Sequence, residues 1–226
     1  MSTHAISSPA ETAPRAKVHV ASVVAAAALV VSGLALVAAE LVLADNAIPD
    51  GAAGLVAIQA NMHTYMLAKW IGLVFTLCMP LGLIGVAALA YQRRAWAAYI
   101  GASLTILGGL FHAAAYTFEG VIVPAMARMA DRQPEMAALL DRINSNPAVY
   151  PLFALMILFN LGLLIMAIGL WRKGIVPIWV AGLGVAATLA HFAPIPELVA
   201  LILLTGFLAG VGLGLIRHAQ MEALAR

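Results

Sequence analysis

Three side chains that can bind ligands or transfer protons lie on one face of the third long apolar run of this sequence. His112, Tyr116 and Glu119 stand at positions i, i+4 and i+7, a spacing that aligns them along one stripe of a helix. The run from Ala95 to Gly120 has no charged residue before Glu119, so a spanning helix here would hold His112 about 10 Å inside the membrane. An ionisable group at that depth is costly unless it has a partner or a function. The sequence therefore predicts that this stripe faces other helices and not lipid.

Further polar residues lie in the other apolar runs, and most fall on the same predicted side of the membrane. They are Glu40, His63, Lys69 and His191, with Asn160 nearer the middle of the fourth run. We expect them to form a small polar pocket, with His112 at its centre, that opens outward between the first, second, third and fifth spans. In that pocket Glu119, Glu40, His63 and His191 would act as ligands or proton carriers, with Tyr116 and Asn160 as further candidates for either role. Lys69 would balance carboxylate charge.

Three functions fit this set of residues. The first, which needs the fewest assumptions, is a non-catalytic membrane protein whose pocket binds a lipid, a small ligand or a partner. The second is a metal- or haem-binding enzyme or redox protein, with His63, His112, His191 and Glu119 as metal ligands. No HxxxH, HExxH or ExxH pair supports that reading, and no particular cofactor is indicated. The third is a proton-coupled small-molecule transporter, because intramembrane His and Glu can relay protons, although no convincing internal repeat is present.

Composition restricts the class of protein. Of the 226 residues, 64% are hydrophobic and only 10% are charged, and the mean hydropathy is +1.00. Such a chain must be solvated mainly by a lipid bilayer. A net charge of +2 is too small to indicate nucleic-acid binding. The single cysteine, Cys78, excludes an intramolecular disulfide and a CxxC redox pair.

Apolar runs of about 20 residues, the length that crosses a bilayer, occur six times. They are Val18–Leu43, Tyr65–Ala90, Ala95–Phe118, Val149–Trp171, Ile175–Phe192 and Glu197–Ile216. We therefore predict an all-α, polytopic integral membrane protein with six transmembrane helices in one compact bundle. A disordered tail is expected over residues 1–16, the transmembrane domain over residues 17–218, and a short tail over residues 219–226.

Basic residues near the span ends predict the orientation, because cytoplasmic loops are enriched in Lys and Arg. One side carries Arg15, Lys17, Arg93, Arg94, Arg172, Lys173, Arg217 and Arg226. The other side carries Arg128, Arg132 and Arg142, interleaved with acidic residues. Both termini are therefore expected in the cytoplasm, with the protein in the cell membrane and the loops Ala44–Thr64 and Glu119–Ala148 outside.

Local patterns predict two surface helices and two packing stripes. In the last outer loop, Met136, Leu139, Leu140 and Ile143 recur at helical spacing behind Pro134, and Leu55, Ile58 and Met62 do so in the first. Small residues every four positions let helices approach closely in lipid. Such residues form one stripe at Gly101, Thr105 and Gly109 and a second at Gly206, Gly210 and Gly214. A homo-oligomer could assemble through the second stripe.

Overall fold

The computed structural model describes residues 9–43, 51–129, 132–147 and 150–224, and in these ranges it contains helices and no β-strand. A helix satisfies its backbone hydrogen bonds within one segment, which a chain in lipid requires. The helices are α1 Pro9–Leu43, α2 Gly51–Ala60, α3 Met62–Gln92, α4 Trp96–Thr117, α5 Val123–Ala127, α6 Gln133–Asn144, α7 Tyr150–Arg172, α8 Ile178–Ala190 and α9 Glu197–Leu224, with a π-turn over Phe118–Ile122 between α4 and α5. The predicted all-α membrane bundle is confirmed.

The predicted number of full-length spans needs one correction. Within the described residues, five helices are long and apolar enough to cross a bilayer. They contain Val20–Leu43, Met62–Gln92, Trp96–Ala127, Ala154–Arg172 and Glu197–Met221. The fifth predicted span is instead α8, whose 13 residues extend only about 20 Å. The helix is shorter than the predicted run because it begins only after Pro177 and gives way to a series of turns after Ala190.

The first and last helices extend into the two predicted tails. Within the expected disordered tail of residues 1–16, the chain is helical from Pro9 onward, since proline suits the first turn of a helix. Residues 1–8 lie outside the described part, as do residues 44–50 of the first predicted loop and residues 225–226. Residues 219–224 of the predicted C-terminal tail belong to α9.

The six apolar helices, α1, α3, α4, α7, α8 and α9, pack as a closed ring in chain order. Adjacent members run antiparallel, and α9 returns to α1, where the Thr205 hydroxyl donates a 3.0 Å hydrogen bond to the Gly33 carbonyl. Large side chains from different helices, including Phe75, Met166 and Phe207, are almost completely buried between them. The ring therefore has a solid apolar core, and it can position side chains from six helices around one axis.

Glycines let α4 and α7 come into backbone contact. A Cβ atom added at Gly101 or Gly108 of α4, or at Gly162 or Gly169 of α7, would overlap the backbone of the opposite helix. Such close approach gains dispersion energy in lipid, where the hydrophobic effect cannot drive association. The stripe predicted on this helix is correct for Gly101 and wrong for Gly109, which has no described atom within 4 Å of an added Cβ.

The second glycine stripe also packs within the chain. Gly206 and Gly210 face Leu183 and Val180 of α8, and Gly214 faces Ile175 and Val176 in the turn before α8. The stripe therefore packs within the chain, and the homo-oligomer contact that the sequence suggested stays a prediction. The spacing correctly indicates close packing, but it does not distinguish a partner within the chain from one outside it.

Short helices form a separate apolar cluster, here called the cap cluster, near one end of the ring. Its buried members are Leu55, Ile58, Tyr65, Val123, Met126, Ala127 and Ala137. The two predicted surface helices are confirmed as α2 and α6, which pack against each other and against α5. Leu55 and Ile58 are buried as their spacing predicts, and Met136 and Leu140 pack onto the cluster. Leu139, predicted on the same face, is 44% exposed.

Candidate functional site

A cavity of about 400 Å³ lies at the end of the ring where α3, α7 and α9 begin. All six ring helices line it, so it includes the fourth and sixth apolar runs as well as the first, second, third and fifth that the sequence indicated. Its polar lining consists of Glu40, Lys69, His112, Tyr116, Glu119, Asn160, Thr188, His191 and Glu197. Apolar lining residues include Phe75, Phe111, Phe159 and Leu204.

The polar residues are arranged by depth. His191 and Glu197 are exposed at the mouth, whereas Asn160 is only 6% exposed and lies on the inner wall. His112 precedes Glu119 by seven residues along the same helical segment, which places it about 10 Å further in. Charged groups therefore surround the entrance, and uncharged or aromatic groups form the deeper wall.

His112 lies in an aromatic environment on that deeper wall. Its ring centroid is 4.7 Å from that of Phe159, 5.7 Å from that of Phe111 and 5.9 Å from that of Phe75, all in edge-to-face geometry. The Nε2 atom is buried, and no residue in the described part of the chain forms a hydrogen bond with it. Native proteins rarely leave a buried polar atom unsatisfied, since this costs about 1 to 3 kcal/mol. This nitrogen is therefore a marker of function more than of stability.

Lys69 and Glu119 form an ion pair on the side of the cavity nearest the cap cluster. The Lys69 Nζ atom donates to Glu119 Oε2 at 2.5 Å. The same ammonium lies 5.2 Å from the ring centroid of Tyr65 and 5.8 Å from that of Tyr116, within the range of cation–π attraction. Lys69 thus neutralises one carboxylate of the site while its own charge is held between two aromatic rings.

A π-turn positions Glu119. The N–H of Val123 donates to the carbonyl of Phe118, five residues back, where a regular helix would bond four residues back. Pro124 explains the widening, because it has no N–H and its ring would clash with the carbonyl of Gly120 in a regular helix. Gly120 in turn faces Lys69, whose Cβ would be 3.3 Å from an added Cβ. The apolar pattern predicted a span that ends at Phe118 and did not predict the π-turn. Gly120 and Pro124 are the residues in the sequence that indicate an irregular helix here.

The other two carboxylates at the mouth, Glu40 and Glu197, form no ion pair with a described residue. Glu40 lies within electrostatic range of Glu197 and of Lys69. Among the described lining residues, three carboxylates thus face one lysine. The mouth carries an excess of negative charge.

His63 is the predicted site residue that the cavity does not include. It lies exposed in the first turn of α3, away from the lining residues. His112, His191 and Glu119 all line the cavity. However, in the described ranges no three His, Cys, Asp or Glu side chains are close enough together to hold a metal ion. The proposed metal-ligand set of His63, His112, His191 and Glu119 is therefore not assembled in this structure.

Several lining residues were not identified from the sequence. Phe75, Phe111 and Phe159 surround His112, but aromatic residues in apolar helices are indistinguishable by pattern from ordinary core residues. Thr188 satisfies its hydroxyl within its own helix, by donating to the Gly184 carbonyl at 3.0 Å. Asn160, which was predicted, likewise donates within its own helix, to the Met156 carbonyl at 3.1 Å. Among the described residues its amide forms no bond to a second helix.

Fold and site together define an all-α, multi-pass membrane protein with a polar-mouthed, aromatic-walled cavity at one end of a helical ring. Comparison with known protein families, with curated proteins and with solved structures finds no match for this chain. The function must therefore be argued from the cavity itself.

Proposed function

We propose that this protein binds a small organic ligand in the cavity at the end of its helical ring. The observation that carries the proposal is the cavity's volume of about 400 Å³, together with its lining from six helices. Sites for small ligands typically measure about 300 to 1,000 Å³ and combine apolar walls with a few polar groups. Leu204, Phe75 and Phe159 provide such walls, and His112, Asn160 and the carboxylates provide the polar groups.

The unsatisfied nitrogen of His112 supports ligand binding over a purely structural role for the site. A histidine kept only for packing would be expected to find a hydrogen-bond partner, because the fold otherwise bears the cost of desolvating its ring nitrogen. A bound ligand with a polar group near this wall would supply that partner. His112 is accordingly the residue at the centre of the proposed site.

The two alternatives suggested by the sequence have less support. A metal site would need three or more converging ligands, which the described residues do not provide. Transporters usually carry internal repeats and spans broken near the midplane, and this sequence has no convincing repeat. Binding at one end needs neither feature.

We also propose that the cavity opens to the extracytoplasmic side, with both termini in the cytoplasm. The antiparallel packing of α8 against α9 supports six alternating passes despite the short length of α8. At the opposite end from the cavity, the exposed rings of Tyr91, Trp96, Trp171 and Trp179 accompany the basic residues. Aromatic rings beside Lys and Arg are typical of a membrane interface on the cytoplasmic side.

A cavity-filling substitution tests the binding proposal. Ala115 lines the cavity, whereas the adjacent Ala114 is exposed on the outer face of α4. We expect neopentylbenzene, a compact neutral aromatic probe, to raise the thermal unfolding midpoint of the detergent-purified protein, since a ligand that binds only the folded state stabilises it. Ala115→Trp should abolish this shift, and Ala114→Trp should leave it unchanged.

The two variants separate cavity binding from nonspecific partitioning. A probe that dissolves only in the detergent or on the lipid-facing surface would affect both variants alike. An equal shift in Ala115→Trp and in the natural protein would overturn the proposal.

A further inference from the structure

We infer that the ligand of this cavity is an amphiphilic organic cation, such as a lipophilic amine or a quaternary ammonium compound. The inference rests on the proposed binding function and names the chemical class that the site selects. Three features support it: the charge of the mouth, the aromatic wall below it, and the spacing between them.

The charge at the mouth favours a cation. Lys69 is already paired with Glu119, so it leaves Glu40 and Glu197 as two carboxylates without an ion-pair partner among the described residues. These two carboxylates are close enough to repel each other. A cation between them would therefore be attracted by both and would remove their repulsion.

The aromatic wall favours an organic cation over an inorganic one. Phe111 and Phe159 line the cavity below the mouth, where the apolar body attached to a cationic head would pack against their rings. A bare divalent ion would instead require several converging oxygen or nitrogen ligands, which are absent from the described residues.

The cavity is charged at its mouth and apolar deeper in the ring. The free carboxylates lie at the exposed mouth, while Leu204 and Phe75 lie deeper in the apolar part. Leu204 follows Glu197 by seven residues on α9, which separates them by about 10 Å. A ligand that filled this space would place a charged head at the mouth and an apolar body in the ring.

Two isosteric probes test the charge preference directly. Benzyltrimethylammonium and neopentylbenzene have the same shape, because a quaternary nitrogen in the first replaces a quaternary carbon in the second. We expect the dissociation constant of the cation, measured by titration of the thermal shift, to be at least about tenfold lower than that of the neutral isostere. Benzenesulfonate, an aromatic anion, should bind more weakly than either.

A charge-removing variant links that preference to the mouth. In Glu40→Gln/Glu197→Gln the affinity for benzyltrimethylammonium should fall at least about tenfold, to that of neopentylbenzene. The matched control is Glu135→Gln/Asp141→Asn, which removes two exposed carboxylates on α6 that do not line the cavity. The control should retain the preference for the cation, since it changes the net charge equally but not locally.

The outcomes separate this inference from the proposed function. If both isosteres bind equally well to the natural protein, the cation preference is wrong and cavity binding stands. If neither binds, both proposals are overturned. If the α6 control loses the preference as fully as the mouth variant does, the preference comes from overall charge and the assigned site is wrong.

Discussion

At the scale of single residues, the site is distinguished by a polar atom that the fold does not satisfy. His112 Nε2 is buried without a partner in the described structure, whereas the amide of the nearby Asn160 donates to Met156. Replacing an unsatisfied polar group by an apolar one loses no hydrogen bond, whereas replacing a satisfied group loses the bond that it makes. We therefore expect the same type of substitution at the two residues to change the free energy of unfolding in opposite directions.

We expect His112→Leu to raise the free energy of unfolding by about 1 kcal/mol and Asn160→Leu to lower it by about 1 kcal/mol. Leucine suits both helices and fits the apolar lining. Denaturant titration of the purified variants, followed by far-UV circular dichroism, measures both values. A clear loss of stability in His112→Leu would mean that the ring nitrogen has a partner in the native state, and the argument for its functional role would fail.

The ion pair at Lys69 is a second residue-scale feature with a measurable strength. Lys69 is 15% exposed and Glu119 is 41% exposed, so the pair is stronger than a surface pair but still partly screened. A double-mutant cycle with Lys69→Met and Glu119→Gln should give a coupling free energy of about 1 kcal/mol. A coupling close to zero would show that the two side chains do not interact in the folded protein.

At the scale of elements, adjacent glycines on α4 have different surroundings. An added Cβ at Gly108 would overlap the backbone of α7, while one at Gly109 would meet no described atom within 4 Å. Gly108→Ala should therefore destabilise the protein by about 1 to 3 kcal/mol through overpacking. Gly109→Ala should be neutral or should stabilise it by up to about 1 kcal/mol, because alanine favours helix.

Thermal unfolding of both variants in the same detergent checks this prediction. The two substitutions are chemically identical and lie on one helix, so the changes in helix propensity largely cancel. Equal destabilisation by the two would show that α4 does not approach α7 through Gly108.

The elements that the sequence predicted well are those with a strong local signal. Of the six spans that long apolar runs predicted, five are helices long enough to cross a membrane. The apolar spacing of Met136 and Leu140 behind Pro134 predicted α6. The errors arose where tertiary packing decides. Spacing alone could not choose between Gly108 and Gly109, because only contact with α7 distinguishes them, and it could not show that α8 covers Gly210.

At the scale of the whole molecule, the ring explains why residues far apart in the sequence meet in one cavity. Antiparallel packing in chain order brings the ends of α1 and α4 to the beginnings of α7 and α9. Glu40, Glu119 and His191 were predicted to lie toward the same side of the membrane, and all three line the cavity. The exclusion of His63 could not be predicted, since depth along a span does not specify which face of the helix turns inward.

The sidedness of this ring is the final testable property. If basic loops are retained in the cytoplasm, the end that carries Arg94 is inside and the end that carries Glu197 is outside. Both residues are exposed, so a cysteine at either position would be accessible to a water-soluble reagent. With Cys78→Ala as the background, Glu197→Cys should react with a membrane-impermeant maleimide in intact cells, and Arg94→Cys should react only after permeabilisation. The reverse pattern would place the cavity mouth in the cytoplasm, and its organic cation would then have to come from inside the cell.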